Sequence, residues 1–431
     1  MHMKKFLALL LAAMMMLSLT CASAEITTTL SEPVTIEFWH SISNAAHAAI
    51  LEDLVAKFNA GRGAELGITV VPTFQGPQAE NYSKVVAALK AGTAPNVTLA
   101  TNVYAADYLQ TDYVVDLTPY IEDETVGIAD YEDIFEGLRA AGTGYAKEGT
   151  YSLPIHPYSE VLYYNTKIFE ENGLTVPTTW DELNEACRVI TAATGAPAFG
   201  WDDLAQSFMT LLMQYGGKYT SSNGDLYFTE DPVALQVLQM WQDNVNEGIW
   251  RVAGEDMFFS GPFANEIVPM YIGNSVEASY IPMKNPDLQW SAAPIPQLNA
   301  DETYNYTSGH CIVALSMDGD EAEKYASYEF IKFMTSTEAN LPVVVGNTGY
   351  LPIRQSVVDS EEFAAFIAAG NDAQKAGVAQ SAAYFSEPVF TNDTTTSNAV
   401  RSAVKVMMEN VIVNGDEPAV AMEDLLMTLG Y

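Results

Sequence analysis

The chain has 431 residues, more than one ordinary core accommodates, so two domains are expected. Its composition, 48% apolar and 11% aromatic with no low-complexity tract or internal repeat, is that of a globular protein rather than a fibrous, disordered or repetitive adhesive one. A formal net charge of −36, from 55 Asp+Glu against 19 Lys+Arg, repels phosphate backbones and anionic lipid faces and argues against nucleic-acid binding.

Residues 1–24 read as a signal peptide: Lys4 and Lys5, an apolar run over 6–19, then Ala22-Ser23-Ala24 before Glu25. The run is too short to span a bilayer comfortably. Cleavage removes two lysines and no acids, leaving a net charge of about −38 on an exported, periplasmic or cell-surface chain. Cys21 follows Leu19-Thr20, a poor lipoprotein match, and a lipid anchor there stays open. Cys187 lies in a helical pattern and Cys311 in a strand pattern, as buried small hydrophobes rather than a bridge.

In "VTIEFWHSIS" (34–43), Val34, Ile36 and Phe38 alternate with Thr35, Glu37 and Trp39, which predicts a strand. A helix follows, ended by Gly61, then a strand at 67–74, a helix stopped by Gly92, and a third strand at 96–102. Strand–helix alternation implies a parallel sheet. Around 149–165 the rhythm changes, and short strands separated by Pro154 and Pro157 carry the chain into a second lobe. Thr179 and Glu182 have capping-box spacing, with Trp180 packed just inside. Helices are predicted over about 204–215 and 233–246, a strand ending at 273–275, a strand around Cys311, a helix over 321–336, and a mainly helical tail.

"VTIEFWHS", "YSKVVAALKAGTAPNV", "SLPIHPYSEVLYYNTKIFEENGLTVPTTWDEL" and "NTGYLPI" occur in this order along nearly the whole chain after its leader. Together they resemble extracellular solute-binding proteins of ABC importers, in the maltose-binding-like family 1. "FWHS" with "GYLPI" looks most like the glycerol-3-phosphate-binding branch. The resemblance implies an α/β, two-lobed periplasmic-binding-protein (type II) fold with an interlobe ligand cleft and crossing hinge segments. Lobe one is expected at 33–142 plus 303–347 and lobe two at 143–302 plus 351–431, hinged near 142–145, 302–303 and 347–351.

Loops at the carboxyl ends of strands line the crevice of an open α/β sheet, which puts Trp39, His40 and Ser41 in the cleft. An indole face stacks on a sugar ring, and hydroxyl and imidazole groups bond its edges. Packing on a helix (Trp39) and capping the loop (His40) stand as alternatives. Tyr82 matches a cleft tyrosine of the glycerol-3-phosphate branch, yet lies on its helix's apolar stripe. Asn102 follows the third strand, where related proteins carry a ligand-binding Glu that this chain lacks. Tyr158 and Ser159 stand where similar proteins present small hydroxyl residues. Trp201, beside Asp202 and Asp203, fits a sugar platform or a helix-start tryptophan. Asn274, Ser275, Ser308 and Gly309 lie in loops of small residues that let backbone amides approach a solute. Tyr350 matches the family's connector tyrosine. Arg401 reads equally as an anion partner or a surface helix residue, because "VFTNDTTTS" poorly matches the branch's phosphate-binding segment.

The expected ligand is a carbohydrate, with glycerol-3-phosphate or a glycerophosphodiester as the alternative. Partners are the ABC permease subunits, with no cofactor, no metal and a monomeric chain. A secreted glycosidase is the rival class, since 55 acids guarantee chance carboxylate pairs. No Gly-x-Ser-x-Gly elbow, HExxH or P-loop is present, and the five histidines show no metal-ligand spacing.

Overall fold

A computed structural model describes residues 26–299, 303–392 and 394–431. The expected leader at 1–24, with Cys21, and residue 302 of the expected hinge at 302–303 lie outside the described residues. Ten strands form the framework: β1 Val34–His40, β2 Ile68–Phe74, β3 Val97–Ala100, β4 Leu153–Asn165, β5 Phe199–Trp201, β6 Trp250–Arg251, β7 Met270–Asn274, β8 Trp290–Ala293, β9 Asn305–Ala314 and β10 Tyr384–Phe385. They connect in the order β2-β1-β3-β9-β4-β7-β5-β6, with β10 on β9 and β8 on β4.

The predicted alternation of β1 is borne out, Ile36 and Phe38 being fully buried and Thr35 and Glu37 exposed. β1 pairs in parallel with β2 and β3, and helices Ala45–Ala60 and Gln78–Ala91 connect them. Two apolar groups cover the faces of this sheet: Ile36, Phe38, Leu99 and Ile312 with helix Glu321–Met334, and Val85, Leu89, Tyr108 and Val313 opposite. A separate core gathers Trp180, Trp201, Phe208, Trp241 and Trp250 with Met407 from helix Ser397–Glu409, while Tyr163, Tyr271 and Phe263 pack on the other face. Two cores around two sheet segments make two lobes. Thr179 and Glu182 form the expected capping box, and Cys187 and Cys311 are buried free thiols.

One element departs from expectation. Residues 153–165 form one 13-residue strand instead of short pieces. The register shifts between Pro154 and His156, and Pro157 stands opposite Gly309, so the strand passes both prolines. β4 and β9 run antiparallel through both halves. β9 pairs β3 through Cys311–Ala314, and β4 pairs β7 through Glu160–Tyr164. Because β9 is antiparallel to β3 and β4, and β4 to β7, the carboxyl ends of β1 and β3 point at the second lobe. Those of β5 and β7 point back. The crevice therefore opens over the crossing of β4 and β9.

Candidate functional site

At the crossing, His156 lies opposite His310 and Tyr158 opposite Ser308. Directly opposed residues share a face, so these four side chains line one side of the strand pair. His47, in the first turn of helix Ala45–Ala60, brings Nε2 to 3.3 Å from His156 Nε2. The Tyr350 ring stacks on His156 at 5.1 Å and lies 5.4 Å from His47 and 6.0 Å from His310. His40 ends β1 nearby. Thus every histidine among the described residues, 40, 47, 156 and 310, gathers where the lobes meet. Burial pulls His47 and His310 down to about 4, with neighbouring imidazoles adding to the effect on His47, and burial lowers His156 and His40 as well. These rings are neutral near pH 7, each with one donor and one acceptor nitrogen. Ser41 Oγ, His156 Nδ1 and His310 Nδ1 are buried without a hydrogen-bond partner among the described residues. No group of three or more His, Cys, Asp or Glu among the described residues is arranged to hold a metal ion.

Beside this cluster, Arg401 is far from a free surface residue. Its Nη2 donates to Asp203 Oδ2 at 2.8 Å, and its Nη1 to Tyr306 at 2.8 Å and Glu387 Oε1 at 3.1 Å. The Gln206 amide, oriented as its neighbours require, accepts from Nη2 at 2.7 Å and donates to Glu160 at 3.0 Å. Glu160 also accepts from Trp201 Nε1 at 2.6 Å, and burial pushes its carboxyl up to about 8. Burial also pushes Asp203 up, but the Arg401 charge and hydrogen bond and the amides of its helix outweigh that and hold it below the usual range. Asp203 is the N-cap of helix Leu204–Gln214, accepting from Ala205 and Gln206, so its position is set by the helix start. Burial raises Glu387, against the pull of Arg401.

The remaining candidates divide. Asn102 begins helix Asn102–Tyr108 and accepts from Tyr145 and Ser152; with Ser308 and Gly309 it lines a small cavity at the crossing. Half-buried Trp39 and Tyr82 pack on the same apolar cluster; Tyr82 stacks on Tyr104 at 4.1 Å and donates to Asp107 at 2.8 Å. Asn274 caps the turn Ser275–Ser279 with Glu277, and Ser275 donates to the Gly349 carbonyl at 3.1 Å, so both are engaged within the protein.

Two expectations need correcting. Gly309, which lines the small cavity, also serves close strand approach: with φ +138, a Cβ there would stand 2.2 Å from the His156 carbonyl oxygen. Ser159 is fully buried, alternating away from Tyr158, with its Oγ 3.2 Å from where a Cβ on Gly377 would sit. Trp201 is 1% exposed and stacked on Trp180 at 5.5 Å, so it presents no ring face to a solute. Apolar neighbours alone would leave its buried N–H unpaired; Glu160 supplies the acceptor, and the sequence carried no sign of it. Trp201→Phe is therefore expected to lower unfolding free energy by about 1–3 kcal/mol, since Glu160 loses one of its buried donors. Urea unfolding checks this; lost solute affinity at unchanged stability would return Trp201 to the crevice.

The reading from sequence singled out His40 but missed His47, His156, His310 and the engaged state of Arg401. The nearest signal was the pair of histidines in "LPIHPYS" and "TSGHC", flanked by proline and glycine on opposed strands.

A family model described as bacterial extracellular solute-binding protein matches residues 53–371. The erythritol/L-threitol-binding protein of Mycolicibacterium smegmatis is 23% identical over 344 residues, 72% of this chain and 68% of that one. The sn-glycerol-3-phosphate-binding periplasmic protein of Yersinia enterocolitica is 24% identical over 336 residues, 74% of each. Among solved structures, the cyclic alpha-maltosyl-1,6-maltose binding protein from Arthrobacter globiformis superposes with a TM-score of 0.78 at 20% identity, covering 92% of this chain and 98% of that one.

Proposed function

The chain belongs to the bacterial extracellular solute-binding proteins, and from that premise we propose that it captures a carbohydrate or polyol between its lobes and hands it, chemically unaltered, to an ABC permease. The observation that carries this is the pair of buried, unpartnered polar atoms at the crossing, His156 Nδ1 and His310 Nδ1, beside the phenols of Tyr158 and Tyr350, with Ser41 Oγ likewise unpartnered just past β1. A buried polar group left unpaired costs about 1–3 kcal/mol, which hydroxyl groups of a solute recover. Neutral imidazoles offer donors and acceptors without charge, which suits hydroxyls.

Lobe one is 33–142 plus 303–347 and lobe two 143–302 plus 351–431. Hinges near 142–145, 302–303 and 347–351 work with the crossing strands. Solute touches both lobes only in the closed form, and its higher affinity for that form drives closure. The contacts we assign are Trp39, His40, Ser41, Tyr82, Asn102, Tyr158, Ser308 and Tyr350, with His156 and His310 added. The protein acts outside the cytoplasm as a monomer, either released or held by a lipid at Cys21, and performs no catalysis.

A second reading, capture of glycerol-3-phosphate or a glycerophosphodiester, is favoured by the Yersinia relative. A thermal-shift series with erythritol, maltose, maltotetraose and glycerol 3-phosphate tests both. Solute at 100 times its Kd stabilises by about 2.7 kcal/mol. No shift with any polyol or sugar, or shortening of the maltotetraose, would overturn the carbohydrate reading.

A further inference from the structure

Resting on the solute-binding reading, we infer that Asp203 and Glu387 are specificity residues: by holding the Arg401 guanidinium they deny it to anions, and the crevice selects uncharged polyhydroxy solutes over phosphate esters. A guanidinium has five N–H donors in a planar fork. Four are engaged here, by Tyr306, Glu387, Asp203 and Gln206. A bidentate phosphate contact takes two parallel donors from one such fork, and every edge of this one includes an Nη whose donors are engaged. Two carboxyl groups face one cation, so an incoming dianion meets no net positive charge.

Arg401 nonetheless lies beside the crossing: it donates to Tyr306 on β9, two residues from Ser308 in the opposed pair Tyr158 and Ser308.

The test uses the full chain as wild type, Glu387→Gln, the double variant Asp203→Asn/Glu387→Gln, and that double variant carrying Arg401→Met. Asparagine caps a helix as well as aspartate, and glutamine keeps the shape of glutamate. Isothermal titration with inorganic phosphate and glycerol 3-phosphate runs beside erythritol and maltose, with circular dichroism confirming folding. Wild type is expected to bind neither anion in the millimolar range. Removing the carboxylates is expected to raise anion affinity by about 10-fold or more, and Arg401→Met to abolish the gain. Glu387→Gln alone is expected to show a smaller gain and serves if the double variant does not fold. The inference falls if wild type binds glycerol 3-phosphate as tightly as a polyol, or if no folded carboxylate variant gains anion affinity. Failure of wild type to bind any neutral solute counts against the carbohydrate reading instead, while the gain of anion binding is read separately.

Discussion

Alanine at position 309 is expected to lower stability and solute affinity together. Gly309 sits on β9 at φ +138, and an added Cβ would meet the His156 carbonyl oxygen at 2.2 Å and Pro157 Cα at 2.7 Å. Both obstacles are backbone of the partner strand, so no rotamer change relieves them. Backbone strain of about 1–3 kcal/mol adds to a similar overpacking cost. The relief available is separation of β4 from β9, and that moves His156 from His310 and Tyr158 from Ser308. A control isolates the conformational part. Gly92 has φ +73 at a helix end, and a Cβ added there would meet nothing within 4 Å, so Gly92→Ala costs only about 1–2 kcal/mol and leaves binding alone. Urea unfolding and titration with a solute found to bind wild type compare the two. Equal losses of stability, with binding intact in both, would show that strand approach at 309 is not what the glycine provides.

That glycine shows where sequence stopped being legible. Local periodicity carried β1, the helices ended by Gly61 and Gly92, and the Thr179–Glu182 capping box, because each depends on neighbours in the chain. The two-lobed fold was legible through the order of several stretches. Long-range pairings were not. Pro154 and Pro157 argued for breaks, and only the β9 partner shows that one strand runs past them, with a register shift after Pro154 and Gly309 opposite Pro157. His47, His156 and His310 stand far apart in sequence and share no spacing rule, so their meeting at Tyr350 is a product of topology. Arg401 stayed open between anion partner and surface helix residue because its partners, Asp203, Tyr306 and Glu387, come from three other segments. Trp201 stayed open between sugar platform and helix-start tryptophan for the same reason, its acceptor lying on β4.

Glutamine at position 160 is expected to make the protein more stable than wild type in neutral and alkaline solution. Glu160 is 1% exposed, and burial is the main reason its carboxyl is pushed up to about 8 from 4.5, with the Trp201 and Thr210 hydrogen bonds pulling the other way. The sign follows from proton counts. Between those two values the folded chain holds a proton that the unfolded chain releases, so stability is fully present below about 4.5 and is lost as pH rises through 8. The loss by pH 9 is on the order of 5 kcal/mol. Glutamine reproduces the protonated form: its oxygen accepts from Trp201 and Gln206, and its amide donates to Thr210, 3.2 Å away in wild type. Urea unfolding across pH 4.5–9 should therefore show near-equal stabilities at the acid end and a widening advantage for Glu160→Gln toward the alkaline end. Parallel curves would mean that Glu160 is already ionised in the folded chain at neutral pH. Gln206 would then link Arg401 to a third carboxylate, and the guanidinium would be still less available to an anion.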